Sequence, residues 1–167
     1  MSIHSNQTQA AQGKVQVGDM APDFTLPSLT GKPVSLASFI GQKDIVLYFY
    51  PKDNTPGCTA EACAFRDSYE VFKDAGAEVI GVSSDSEQSH RRFASVHHLP
   101  FILLSDVGGK VRRLYGVPST FGLLPGRVTY IIDKRGIVRH IFSAAFAPQK
   151  HVDEALKVLQ TLREEDG

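Results

Sequence analysis

The six-residue run Ile45-Val46-Leu47-Tyr48-Phe49-Tyr50 constrains the fold of this 167-residue chain more than any other segment. It is apolar and aromatic throughout and rich in residues that favour extended backbone, the pattern of a strand buried on both faces. Such a strand lies in a sheet covered on each side, and Pro51 ends it by removing a ladder donor. Two further runs of this kind, Glu78-Val79-Ile80-Gly81-Val82 and Phe101-Ile102-Leu103-Leu104, alternate with helix-like spacing over 86–97 and 109–115. That alternation implies α/β layering. Ahead of it, Phe24-Thr25-Leu26 and Val34-Ser35-Leu36, joined across Gly31-Lys32-Pro33, read as a short hairpin covering one edge of the main sheet. Behind it, 128–132 and 137–142 flank the turn Asp133-Lys134-Arg135-Gly136 as a second hairpin, and 148–162 closes the chain as an amphipathic helix.

The chain has two cysteines, Cys58 and Cys63, placed where the first strand hands over to a helix, in Thr55-Pro56-Gly57-Cys58-Thr59-Ala60-Glu61-Ala62-Cys63. Thr is a favoured N-cap and Pro a favoured first helical residue, so Thr55 as N-cap puts Pro56 at N1, Gly57 at N2 and Cys58 at N3. Unpaired N–H groups and the positive end of the helix dipole favour an anion there, and a thiolate over a thiol. Thiolate is the nucleophilic form, which makes Cys58 a candidate nucleophile. Cys58, Ala62, Phe65, Tyr69 and Phe72 recur at helical spacing as an inward stripe, with Cys63 nearer Asp67 and Glu70. Five residues along one helix separate two Cα atoms by about 8.7 Å, whereas a disulfide spans roughly 4.4–6.8 Å. A bond between these cysteines requires the first turns to unwind, which predicts a conformational switch on oxidation. Taken alone, the pair leaves a second reading open, in which both thiols pack as small apolar groups.

A hydrophobic content of 42% supplies a substantial core, and the length suits one domain over 14–167 behind a loose tail over 1–13, which is polar and rich in Gln and Ser. Eighteen basic and eighteen acidic residues cancel, so no global basic field draws a nucleic acid or an anionic membrane. No apolar run approaches the roughly 20 residues that span a bilayer, and the N-terminus lacks the apolar core of a secretory signal. A cytoplasmic protein is expected. The plastid stroma is the alternative if 1–13 is what remains of a trimmed transit peptide, although the lack of Arg in that stretch argues against an intact one. The six histidines are scattered and lie away from the cysteines, so no metal site is expected.

A βαβ half followed by a β-hairpin and a terminal helix is the thioredoxin-like pattern, an α/β fold whose mixed central sheet is flanked by helices, here with an N-terminal β-hairpin. Within it, Pro51, Thr55 and Cys58 match the Pro-x-x-x-Thr-x-x-Cys signature of the peroxiredoxins. Cys63, in Glu61-Ala62-Cys63-Ala64-Phe65-Arg66-Asp67, matches the second cysteine of the bacterioferritin comigratory protein or peroxiredoxin Q branch. Ala21-Pro22-Asp23-Phe24, Leu104-Ser105-Asp106 and Pro125-Gly126-Arg127-Val128-Thr129-Tyr130 extend the likeness from Val17 to the terminal helix. The chain therefore resembles this branch of the peroxiredoxins over nearly its whole length.

The resemblance implies a thiol-dependent peroxidase that reduces hydrogen peroxide and organic hydroperoxides without metal, haem or flavin. It also implies a monomer recycled by thioredoxin or a similar dithiol. On this likeness Cys58 is the peroxidatic cysteine, which passes through a sulfenic acid, and Cys63 is the resolving cysteine, which closes an intrachain disulfide. Thr55, Arg127 and Pro51 complete the site, with Arg127 as the charged donor to the transition state. Glu61 and Arg66 are expected as solvated helix-surface charges, or as a network with Arg127. Two alternatives are a dithiol–disulfide oxidoreductase, whose usual signature is Cys-x-x-Cys rather than four intervening residues, and a redox-sensing chaperone.

Overall fold

A computed structural model describes residues 14–120, 124–144 and 147–166; the tail expected over 1–13 lies outside the described residues. The central sheet has five strands in the order β5 (Ile102–Ser105), β4 (Ala77–Ser83), β3 (Asp44–Phe49), β8 (Val128–Ile132) and β9 (Val138–Ser143). β3, β4 and β5 run parallel, whereas β8 and β9 pair antiparallel, so the sheet is mixed. The N-terminal hairpin consists of β1 (Thr25–Pro27) and β2 (Pro33–Ser35), followed by a 3₁₀ turn, Leu36–Phe39. It meets the sheet at an edge, as expected, through a bridge between Ser28 and Leu104 of β5. Between β5 and β8 a small pair, β6 (Ser119–Thr120) and β7 (Leu124–Pro125), was not legible in the sequence. Five helices complete the described residues: α1 (Pro56–Asp67), α2 (Tyr69–Asp74), α3 (Glu87–His97), α4 (Lys110–Tyr115) and α5 (Pro148–Asp166).

Every residue of β3 is buried, and its period of two divides the core. Val46, Tyr48 and, just beyond the strand, Tyr50 face Cys58, Ala62 and Phe65 of α1, Phe72 of α2, Phe93 of α3 and Val152, Ala155 and Leu159 of α5. Ile45, Leu47 and Phe49 face the hairpin side, with Phe24, Leu36, Val111 and Tyr115 of α4 and Tyr130 of β8. The face that carries Cys58 is thus the one roofed by α1 and α5. None of the helices among the described residues is long and apolar enough to cross a membrane.

The helical spacing expected to continue through Phe72 is interrupted at Ser68. That residue leaves helical geometry (φ −104°, ψ 6°), and its N–H is spread over the carbonyls of Ala64, Phe65 and Arg66. The break turns Tyr69 so that its hydroxyl donates to Glu78 Oε1 at 3.1 Å, while Phe72 still enters the core.

Gly81, paired in register with Tyr48, has a packing reason. A Cβ there would lie 2.9 Å from Tyr48 Cζ and 3.0 Å from Leu103 Cδ2, inside the fully buried aromatic layer that also supports α1. Gly81→Ala is expected to cost about 1–3 kcal/mol through overpacking, read as a lowered denaturation midpoint. An unchanged midpoint would show that the layer has slack.

Candidate active site

Thr55 occupies the N-cap position with extended geometry (φ −89°, ψ 152°), Pro56 is the first helical residue, and Cys58 falls in the first turn of α1, as the sequence requires. The Thr55 carbonyl accepts from the Thr59 N–H at 2.8 Å and closes that turn. Its hydroxyl does not cap the helix; it donates to the Lys52 carbonyl at 2.9 Å, which commits its hydrogen and leaves its lone pairs. Pro51, half-buried, ends the buried strand one residue after Tyr50. The thiols of Cys58, which is buried, and Cys63, which is half-exposed, are both free and sit on one uninterrupted helix. Ideal helical geometry keeps such a pair about 8.7 Å apart at Cα, beyond the reach of a disulfide.

The loop between β3 and α1 is locked by a buried polar cluster that the sequence reading missed. Asp53 Oδ1 accepts from the Tyr50 hydroxyl at 2.6 Å, and Oδ2 accepts from the Ser89 hydroxyl and pairs with His90 Nδ1, both at 2.8 Å. The Asp53 N–H donates to Asp85 Oδ2 at 2.8 Å, and His90 Nε2 donates to the Leu104 carbonyl at 3.0 Å. Asp53, Asp85 and His90 gather three atoms of metal-ligating type, yet all three side chains are already committed to these hydrogen bonds. The cluster anchors the residues just before Thr55 to α3 and β5. Asn54, at φ 64°, takes the left-handed turn that Asn tolerates better than most residues.

Arg127, at the entry to β8, sends its guanidinium across to α1. Nη1 donates to Glu61 Oε1 at 2.9 Å, and the guanidinium also interacts with the Cys58 sulfur by charge and hydrogen bond. Burial works against the arginine's charge, but Glu61 and Cys58 outweigh it and hold Arg127 above its ordinary range. Glu61, expected on the helix surface, is fully buried. It follows Cys58 by three residues and Ala62 and Phe65 share its stripe, so the helical period that placed Cys58 inward also placed Glu61 inward. Burial pushes the Glu61 carboxyl up to about 7, with Arg127 opposing. Arg66, the other expected network member, instead donates to Asp67 Oδ1 at 3.0 Å and to the His97 carbonyl at 2.8 Å.

Three more residues complete the surroundings. Tyr48 stacks on Phe65 with centroids 4.6 Å apart, and its buried hydroxyl has no hydrogen-bond partner among the described residues. Burial, and after it the charges of Glu61 and Cys58, holds that phenol in its neutral form. His151, from α5, lies beyond Glu61 on the side away from Arg127's hydrogen bond, with Nδ1 3.4 Å from Oε2. Gly57 explains how the guanidinium reaches the helix mouth: a Cβ there would sit 2.8 Å from Arg127 Nη2.

A buried cysteine in a first helical turn, faced by a fixed guanidinium on a thioredoxin-like sheet, has the equipment to attack an O–O bond and to stabilise the oxygen that leaves. These features define the class of thiol peroxidases. The comparisons with known proteins agree: the model of the AhpC/TSA family matches residues 17–141, and the chain belongs to this family of peroxiredoxins. Among relatives, the chain is 58% identical over 151 residues to the chloroplastic peroxiredoxin Q of Sedum lineare, covering 90% of this chain and 81% of that one. Among solved structures, peroxidoxin BcpB from Mycobacterium tuberculosis superposes with a TM-score of 0.82 at 38% identity, over 88% of this chain and 97% of that one. The bacterioferritin comigratory protein of Xanthomonas campestris, studied for its alkyl peroxide reduction activity, matches with a TM-score of 0.77 at 29% identity, over 88% of this chain and 96% of that one. The protein is a thiol-dependent peroxidase with the fold expected from its sequence.

Two measurements probe the site. Gly57→Ala, which displaces the guanidinium by the order of 1 Å, is expected to slow oxidation of the cysteine by peroxide up to about a hundredfold while leaving the protein folded; a parental rate would show that Arg127 accommodates the methyl. The second concerns pH. The folded-state value of Glu61, about 7, lies above its ordinary 4.5, so the native state holds a proton that the unfolded chain releases between those values. The contribution is full at acid pH and is lost as pH rises through about 7. Urea midpoints are therefore expected to fall between pH 5 and pH 8 more in the parent than in Glu61→Gln, and equal falls would place the titration elsewhere.

Proposed function

We propose that Cys58 is the peroxidatic residue, Cys63 the resolving residue, and Thr55, Arg127 and Pro51 the surround that makes the first of them specific for hydroperoxides. The observation that carries this reading is the guanidinium of Arg127 held at once by Glu61 and by the Cys58 sulfur. The Cys58 thiolate attacks the terminal oxygen of ROOH; an S–O bond forms, the O–O bond breaks, and RO⁻ leaves, taking a proton to become ROH. Arg127 faces the charge as it develops on the leaving oxygen. It keeps its own charge at any working pH and offers a planar fork of donors, which Lys does not. The Thr55 oxygen, its hydrogen committed to Lys52, accepts from the hydroperoxide's O–H and orients it. Pro51 shields the sulfur from bulk water.

Resolution follows once the first turns of α1 unwind. The Cys63 thiolate attacks the Cys58 sulfenic acid, an S–S bond forms, and hydroxide leaves as water after taking a proton. A thioredoxin-type dithiol then reduces the disulfide in a two-electron exchange. Alkyl hydroperoxides are proposed as substrates beside hydrogen peroxide, in keeping with the activity described for the Xanthomonas campestris relative. Because both cysteines belong to one chain, a monomer suffices. The setting proposed is a reducing one, the cytoplasm or the plastid stroma; the plant relatives, named as chloroplastic, favour the stroma.

Stopped-flow mixing of the reduced protein with hydrogen peroxide tests the scheme. Cys58 is expected to oxidise orders of magnitude faster than free cysteine, and Arg127→Lys to lose about 10²–10³ of that rate. Cys63→Ser should retain the first oxidation, accumulate sulfenic acid and lose thioredoxin-supported turnover. Rates at the level of free cysteine would refute the site assignment, and undiminished turnover in Cys63→Ser would give resolution to another thiol.

A further inference from the structure

A hydroxyl has one hydrogen and two lone pairs, so what Thr55 can offer a substrate depends on where its hydrogen is sent. It goes to the Lys52 carbonyl at 2.9 Å. That carbonyl is one end of the Lys52–Asp53 peptide, a planar trans unit whose N–H points the opposite way. The N–H donates to Asp85 Oδ2 at 2.8 Å, in the link between β4 and α3. One rigid plane therefore connects a carboxylate 32 residues along the chain from Asp53 to the Thr55 hydroxyl.

Asp85 is itself tied down. Its Oδ2 also accepts from the buried Ser83 hydroxyl at 2.6 Å, and Ser83 Oγ accepts in turn from the Asp85 N–H at 3.2 Å, which fastens the carboxylate to the end of β4. The Asp53 side chain is held separately, by the Tyr50 and Ser89 hydroxyls and by His90 Nδ1. Those bonds fix where Asp53 sits. The tilt of the peptide about the line joining the Lys52 and Asp53 Cα atoms is a different freedom, and it is set by what holds the N–H at one end and the carbonyl at the other. A peptide whose N–H has lost its acceptor can tilt, and the carbonyl then swings off the Thr55 hydroxyl.

We propose that Asp85 is a positioning residue for the peroxide step: it holds the Lys52–Asp53 peptide by its N–H, so that the Lys52 carbonyl takes the Thr55 hydrogen and the Thr55 oxygen stays an acceptor for the O–H of the hydroperoxide. The inference rests on the reading of Thr55 as that acceptor. Asp85 does not touch the substrate; it acts through two hydrogen bonds and the plane between them. When the hold is lost, the hydroxyl is free to turn its hydrogen toward the substrate, where it meets the hydroperoxide's own hydrogen instead of accepting it. Asp85→Asn keeps a side-chain oxygen that can accept from the Asp53 N–H, whereas Asp85→Ala keeps none.

A double-mutant cycle with Thr55, made in the full-length reduced protein, separates this role from mere support of the loop. Asp85→Ala is expected to slow stopped-flow oxidation of Cys58 by peroxide about threefold to tenfold, the worth of one hydrogen bond. Alkylation of Cys58 by iodoacetamide, a reagent with no O–H to orient, should stay within about twofold of the parent when followed by peptide mass spectrometry. In Thr55→Val, which has no hydroxyl to aim, adding Asp85→Ala should cost less than about twofold more. Asp85→Asn should recover most of the loss. In the parent, nuclear magnetic resonance should show a scalar coupling across the hydrogen bond from the Asp53 N–H to the Asp85 carboxylate. A parental peroxide rate in Asp85→Ala, a loss that persists in full in Thr55→Val, alkylation that falls with the peroxide rate, or no recovery in Asp85→Asn would each overturn the proposal. If Asp85→Ala does not fold, Ser83→Ala, which frees the other hold on the carboxylate, carries the same cycle, and absence of the coupling in the parent overturns the proposal on its own. The coupling and the alkylation do not depend on peroxide chemistry, so failure of the peroxidase assignment shows separately, as a parent that reacts with peroxide no faster than free cysteine.

Discussion

The first turn of α1 is pinned from two directions, and the rest of the site depends on that pinning. From β8, Arg127 reaches Glu61 and the Cys58 sulfur; from α3 and β5, the Asp53 and His90 cluster fixes the loop that delivers Thr55 and Pro56. The two anchors come from opposite halves of the mixed sheet, the antiparallel half and the parallel half, and α1 is suspended between them over β3. A buried ion pair such as that of Glu61 and Arg127 gains in attraction roughly what it loses in desolvation, so net stability is a poor reason for its presence. What it provides is position. A guanidinium tethered by Glu61 is held beside the Cys58 sulfur rather than left to swing into solvent.

The same pinning creates a conflict that the chemistry requires. In the proposed scheme, attack on peroxide uses Cys58 in the intact first turn, beside Arg127. Resolution by Cys63, as proposed, needs that turn undone, because Cys63 lies on the same helix beyond disulfide reach. In the same scheme, oxidation changes what the Arg127 guanidinium meets at the sulfur, while its bond to Glu61 on the same helix remains.

Much of this was legible in the sequence for identifiable reasons. The continuous apolar run of β3 announced a strand covered on both faces, and Thr55-Pro56-Gly57-Cys58 announced a helix start because capping chemistry is local. Tertiary partners were less legible. Glu61 reads as an exposed helix charge by residue type, and only its three-residue spacing from Cys58 gives it away. His90 and His151 looked scattered because their partners, Asp53 and Glu61, are 37 and 90 residues distant in the chain. Gly57 passed as part of a turn-like lead-in, although its missing Cβ makes room for a side chain from β8. The break at Ser68 was hidden because Tyr69 and Phe72 keep the apolar period across it.

Hydrogen exchange along α1, followed in the reduced protein and again after one equivalent of hydroperoxide, tests most directly whether one helix serves both steps. The expected result is strong protection of the amides of residues 58–63 in the reduced state, lost when mass spectrometry shows the Cys58–Cys63 disulfide and regained when a dithiol reduces it. A disulfide that forms while those amides stay protected, or a helix already open before oxidation, would contradict it.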